Sequence, residues 1–192
     1  MCYSFEVSLG TGIASYVLGY ILFQRNLTEK EKQSVTAYLI ITSMQFVDSI
    51  LWFSKMKKNS LNYITTSFLI PIILSMQVIY NIYVQNKFQK LYHLILLAGY
   101  SFYLFYRVNG YSRPLCNNYF SSPVWGDREL TLWELFLFTI LVHYPNWDTI
   151  ALFFTIILLI KYFINGALGS WWCFIGALIG LYYYFTLGIK KS

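Results

Sequence analysis

Charge is scarce in this chain. Asp, Glu, Lys and Arg make up 11% of its 192 residues, against about 25% in a soluble globular domain. Between the apolar segments nothing is left that could fold as a water-soluble head. Metal and redox chemistry lack their usual residues too. There are two histidines and three cysteines; Cys2, Cys116 and Cys173 are far apart and match no zinc or redox spacing. No HxxxH, HExxH, GxSxG or phosphate-loop pattern occurs. No metal or cofactor is therefore expected, and no enzyme signature is present. The net charge is +6, but it is not gathered into a basic stripe, so nucleic acid is excluded as a partner. Lys and Arg stand singly or in short groups, as in Arg25, Lys30 and Lys32 or Lys55, Lys57 and Lys58, in the manner of membrane borders. No basic region precedes the first apolar stretch, so a cleavable signal peptide is not expected.

What the chain does have is apolar length. Hydrophobic residues make up 57%, and mean hydropathy is +0.51. Seven candidate spans read as 5–24, 34–54, 61–84, 91–106, 127–144, 149–164 and 170–188. A bilayer core about 30 Å thick takes roughly 17–25 apolar residues of helix, and only helices or closed barrels satisfy their backbone there. The expected fold is all-α, an integral membrane bundle of about seven transmembrane helices forming one domain over 1–192, with the lipid bilayer as its partner. The fifth and sixth segments are the weakest spans. Thr131 and Glu134 have capping-box spacing, and a helix starting there reaches only about 20 Å before Pro145, so this pair reads either as two spans or as a re-entrant hairpin.

Small residues punctuate two spans. Ser8, Gly12, Ser15 and Gly19 line the first; Gly169, Cys173, Gly176 and Gly180 line the last, with a GxxxG pattern at 176–180. Such stripes allow close helix approach. Packing within the bundle is expected, with homo-oligomerisation through these faces as the competing reading. Pro71 predicts a kink in the third span. The loop 107–130, with its prolines and aromatics, reads as an ordered cap. Lys and Arg fall seven on each side, so they do not set the orientation.

Following the chain from side to side brings Glu6, Asp48, Trp52, Glu134, Lys161, Trp171, Trp172 and Cys173 to one face of the membrane, beneath that loop. Ionisable groups within spans are costly and usually pair or line a pathway. Each also has a plain reading. Glu6 is a first-turn acid, Glu134 a capping partner, Lys161 a snorkelling side chain, the tryptophans an interfacial belt and Cys173 a small packing residue. Asp48 resists that treatment: Gln45, Asp48 and Trp52 follow helical spacing, so an amide, a carboxylate and an indole share one face. The candidate binding residues are Glu6, Gln45, Asp48, Trp52, Glu134, Lys161, Trp172 and Cys173, with Gln45 and Lys161 the first expected partners of Asp48.

Three stretches carry a resemblance. Met1-Cys2-Tyr3-Ser4-Phe5-Glu6-Val7-Ser8 resembles the Met-Cys-Phe-Ser-Ala-Glu-Ala-Ser opening of a family of small, uncharacterised bacterial and viral multi-pass proteins. Gln45-Phe46-Val47-Asp48 with Trp52 resembles that family's Gln-x-x-Glu-x-x-x-Trp in the second span, with Asp in place of Glu. Ser170-Trp171-Trp172-Cys173-Phe174 resembles its Trp-Cys-Phe opening of the last span. The resemblance covers about a quarter of the chain and implies a multi-span membrane protein without supplying an activity. Three functions stay open: a small channel- or transporter-like protein handling an ion or small polar ligand; a structural or interaction protein of a viral or cellular membrane; and a membrane enzyme or ligand-binding protein using Glu6, Asp48, Cys2 or Cys173.

Overall fold

The computed structural model describes residues 4–85, 91–116, 121–163 and 168–188. The chain is mostly helical. Helix α1 (Phe5–Phe23) is capped by Ser4, whose hydroxyl accepts from the Val7 amide at 3.3 Å. Helix α2 (Glu29–Thr42) starts five residues ahead of the expected span. A capping box explains the early start: Thr28 N–H donates to the Glu31 carboxylate at 2.7 Å, and Glu31 N–H donates back to Thr28 Oγ1 at 3.3 Å, satisfying orphan donors before the apolar run begins. Ser43 separates α2 from α3 (Met44–Phe53). The Thr42 and Ser43 hydroxyls donate to the Tyr38 and Leu39 carbonyls, a back-bonding that bends helices.

A third helical run holds α4 (Ser60–Ile64), a π turn (Thr65–Leu69) and α5 (Ile70–Val84). Pro71 sits just after the π turn, so the missing N–H is absorbed by a one-residue slip in the ladder instead of breaking the helix. Then come α6 (Leu91–Arg107), α7 (Leu132–His143), α8 (Trp147–Phe163) and α9 (Leu168–Thr186). Three runs, Phe5–Phe23, Glu29–Phe53 and Ser60–Val84, are long and apolar enough to cross a membrane; Leu132–His143 is a shorter apolar helix, about 18 Å long at 1.5 Å per residue.

The all-α expectation needs one correction. Between α6 and α7 lies a small antiparallel hairpin, β1 (Arg113–Cys116) with β2 (Ser121–Val124), paired from Arg113↔Val124 to Cys116↔Ser121. Each strand carries a proline and only four residues, which hides them from a periodicity reading. Pro is tolerated because both strands are sheet edges.

The first helix is turned inside out relative to a soluble one. Ser8, Gly12, Ser15 and Gly19 are buried, while Ile13, Val17 and Tyr20 are exposed. In lipid the small side must face protein so that backbones can approach. The partner is α2–α3, running antiparallel. Phe5 meets Phe53 with ring centroids at 5.9 Å, Tyr16 shares a 2.7 Å hydrogen bond with Ser43, and a Cβ on Gly19 would lie 2.6 Å from Leu39. The stripe on α9 also receives α2: a Cβ on Gly176 would lie 2.6 Å from Ile41, and one on Gly180 would run into the Tyr38 hydroxyl. Thus α2 is the central helix, sandwiched between two small-residue faces. At its foot, Arg25 donates to the Tyr184 and Leu187 carbonyls and stacks on the Tyr184 ring, satisfying the carbonyls at the end of α9.

Candidate functional site

Asp48 is 1% exposed. Trp125 Nε1 donates to its Oδ1 at 3.0 Å, and the indole is itself 3% exposed. Trp125 arrives from the loop, directly after the hairpin. The described part of the loop thus packs over this end of the bundle. Trp125 is one partner of Asp48; the Lys161 side chain lies outside the described residues. Helical spacing points to Gln45, and span order to Lys161, but spacing along one helix reveals a shared face and not what comes down onto it.

The cap is pinned by a polar clamp on α4 and the π turn. Asn62 donates to the Ser112 carbonyl and accepts from its amide, both at 2.9 Å; Thr66 and Ser112 share a 2.7 Å hydrogen bond. One turn on, Ser67 donates to Asn109 at 2.9 Å. Gly126 makes the bend after Trp125, with φ +77 and the place of a Cβ only 3.0 Å from the Asn109 carbonyl; a side chain there meets both strain and a clash. Sequence reasoning marks Trp125 as a loop aromatic that packs down on helix ends but not as a partner of Asp48, and it missed Asn62, Thr66, Ser67 and Ser112. A polar run in an otherwise apolar span, Asn62 with Thr65-Thr66-Ser67, was the available signal.

The other candidates divide. Gln45, Asp48 and Trp52 do share an inward face of α3. Gln45 is fully buried, and among the described residues neither amide atom has a partner; the buried Trp52 Nε1 also has none. Glu6 is exposed and accepts from Ser4 at 2.6 Å; the Phe5–Phe53 contact puts it at the Trp52 end of α3. Glu134 forms its capping box with Thr131, accepts from Arg107 Nε at 2.6 Å and from Tyr103, while Arg107 also holds the Arg128 and Glu129 carbonyls. Glu134 is a fastening between α6 and α7, with its oxygens already engaged. Lys161, Trp171, Trp172 and Cys173 belong to α8 and α9, but their side chains lie outside the described residues, as do Cys2, Tyr119 and Phe120. Among the described residues no three His, Cys, Asp or Glu side chains gather as metal ligands.

The opposite end of the bundle is hollow. A cavity of about 790 Å3 is lined by α2, α5, α7, α8 and α9. Its rim carries the exposed Lys30 and Asn146; its floor carries the buried Ile41, Gln77, Phe153 and Gly176. Neighbouring helices around this ring touch: α2 with α5, α5 with α7, α7 with α8, α8 with α9 and α9 with α2. Gln45 lies about 6 Å beyond Ile41 along the helix and Asp48 about 10 Å beyond, at 1.5 Å per residue. Ser8 on α1, Thr65 in the π turn and Ser75 on α5 add buried hydroxyls without partners among the described residues, on elements that all pack against α3. By contrast, the space beside Trp125 and Glu134 amounts to only about 20 Å3.

Fold and site together define a class, a mostly helical protein with three helices long and apolar enough to cross a membrane and a small hairpin between α6 and α7. Comparison with protein-family models, curated proteins and solved structures found no match.

Proposed function

We propose that the chain is a seven-segment membrane bundle acting as a small channel- or transporter-like protein, open at the vestibule end and closed at the Asp48–Trp125 end. The outward faces support the membrane placement beyond the three long helices: Phe102 and Tyr106 on α6 and Leu181 and Phe185 on α9 are all exposed, an arrangement suited to lipid and not to water. Helices α7 and α8 fit a hairpin that enters and returns, since α7 alone falls short of a bilayer core. The resemblance to small multi-pass proteins is kept as part of this proposal; its second-span residues are the three that share the inward face of α3.

One observation carries the reading. Between the vestibule floor and the buried Asp48 stands the Gln45 amide, fully buried and with no partner among the described residues. Polar atoms buried in this way cost about 1–3 kcal/mol each and call for water or a solute as their partner. A closed polar path supplies that partner; a purely structural bundle has no use for such groups.

The test is flux. Purified protein in liposomes is expected to pass a solute from a panel of proton, potassium, chloride and small carboxylates faster than empty liposomes do. Trp125→Ala should raise that flux several-fold by opening the closed end. Flux equal to that of empty liposomes across the whole panel, for wild type and Trp125→Ala alike, would sink the transport reading. The tight packing around Asp48 favours one alternative, a structural membrane protein in which the cap is a plug.

A further inference from the structure

We infer that the vestibule is a binding site for a small organic anion, a carboxylate or sulfonate on an aromatic or short aliphatic body. This names the ligand class for the entrance that the transport reading uses, and it is read by labelling instead of flux, so either can fail alone.

Charge comes first. Among the described residues, Lys30 is the one Lys, Arg, Asp or Glu in the lining, and no carboxylate is ion-paired with it. The nearest acids on its helix are engaged elsewhere: Glu29 pairs with Lys32 at 2.7 Å, and Glu31 closes the capping box. A metal cation entering here meets no anionic ligand among the described lining residues. An anion meets an ammonium at the rim, backed by the Asn146 amide and the Thr149 hydroxyl. Low-dielectric walls concentrate the field of a single charge in such a cleft.

Shape comes second. The volume of about 790 Å3 falls in the range of small-molecule pockets, about 300–1,000 Å3. Below the polar rim the walls turn apolar and aromatic, with Ile40, Val142, Phe153 and Tyr80. This gradient matches a ligand with a charged head and an apolar body. It is the usual make-up of a small-molecule site, apolar walls with a few placed polar groups.

Access comes third and decides between water and lipid as the source. The exposed rim residues Lys30 and Asn146 stand in the first turn of α2 and just before α8, so the cavity opens at these helix ends. A soluble anion can enter that way; the two chains of a phospholipid cannot follow its headgroup in.

The experiment places a single cysteine at Ala37, a half-buried lining residue, in protein whose Cys2, Cys116 and Cys173 are replaced by Ser. Thr149→Cys serves as a second reporter should the first fail to fold. The protein is reconstituted in phosphatidylcholine vesicles and labelled with anionic and cationic methanethiosulfonates of similar size. The anionic reagent is expected to react several-fold faster, with the ratio shrinking as salt is added and falling to about that of a free thiol in Lys30→Gln. Benzoate should protect the cysteine, and benzylammonium should not. Equal or faster reaction of the cationic reagent, no protection by benzoate, or no labelling of either reporter in folded protein overturns the proposal. So does protection brought about by phosphatidylglycerol in the vesicles without benzoate, which would make the occupant a lipid.

Discussion

The two ends of α2–α3 handle polarity in opposite ways. At the Asp48 end, charged and polar side chains have protein partners. Asp48 has Trp125, Glu134 has Arg107, and Asn62 has Ser112. At the vestibule end, polar side chains line a space instead of filling it. Between them the Gln45 amide has neither arrangement. One helical run thus passes from solvated to unsatisfied to locked. The difference teaches that burial cost in a bundle is managed locally, and it makes the two ends respond differently to the same kind of damage.

The sharpest break in that comparison is Trp125→Ala. It removes a large buried ring, a change that costs about 3–5 kcal/mol in well-packed cores, and takes a hydrogen bond from a buried carboxylate. Thermal unfolding in detergent should show a larger fall in melting temperature than either Asn62→Ala or Gly180→Ala produces. Ala37→Ser at the vestibule wall should leave stability within about 0.5 kcal/mol of wild type. Similar losses at both ends would mean that the cap is not locked. Asn62→Ala comes next. It removes a bidentate grip on Ser112 and leaves buried backbone groups unmatched, at about 1–3 kcal/mol. Its readout is faster proteolysis within 107–130, with α1 and α9 still protected.

Much of this was legible in the sequence, and the limits have physical causes. Apolar length located the helices, three of whose runs are long and apolar enough to cross a membrane. The edges α1 and α9 fell within about two residues of their expected positions, while α2 began earlier because the Thr28–Glu31 box acts independently of hydropathy. The small-residue stripes identified the contact faces, and the first and last spans do pack on each other as their matching spacing suggests; that both also receive α2, through Leu39, Ile41 and Tyr38, was not legible. The inward face of Gln45, Asp48 and Trp52 was readable from spacing along one helix. Trp125 was not, since 77 residues separate it from Asp48 and no periodicity links a loop to a helix. The vestibule was invisible for the same reason: it is a property of how five helices meet, and no single one of them announces it.

The glycine faces offer a smaller test. Gly180→Ala puts a methyl where Tyr38 now lies, and overpacking of this kind costs about 1–3 kcal/mol. Gly10→Ala and Gly99→Ala meet nothing within 4 Å and should be neutral or slightly stabilising, since Ala is the better helix former by about 0.5–1 kcal/mol. If the face works within one chain, the Gly180→Ala loss is independent of protein concentration. A loss that disappears on concentrating the protein would place a second copy on α9 instead.

Two ion pairs, one at each end, carry the same contrast. Arg107 and Glu134 are 14% and 17% exposed at the side chain and 2.6 Å apart; Lys32 and Glu29 are 49% and 81% exposed and 2.7 Å apart. Distance alone would rank them as equals. Water does not: an exposed pair is screened, and two long side chains lose freedom in holding it. The Arg107–Glu134 pair also shares its charges with Tyr103, Thr131 and two loop carbonyls, so its hydrogen bonds strengthen one another. A double-mutant cycle with Arg107→Gln and Glu134→Gln should give a coupling of about 1.5–3 kcal/mol that changes little between low and high salt. The matching cycle with Lys32→Gln and Glu29→Gln should give no measurable coupling at high salt. If both cycles gave the same salt-sensitive value, the Asp48 end would be as wet as the vestibule end, and the contrast between a locked end and an open one would collapse.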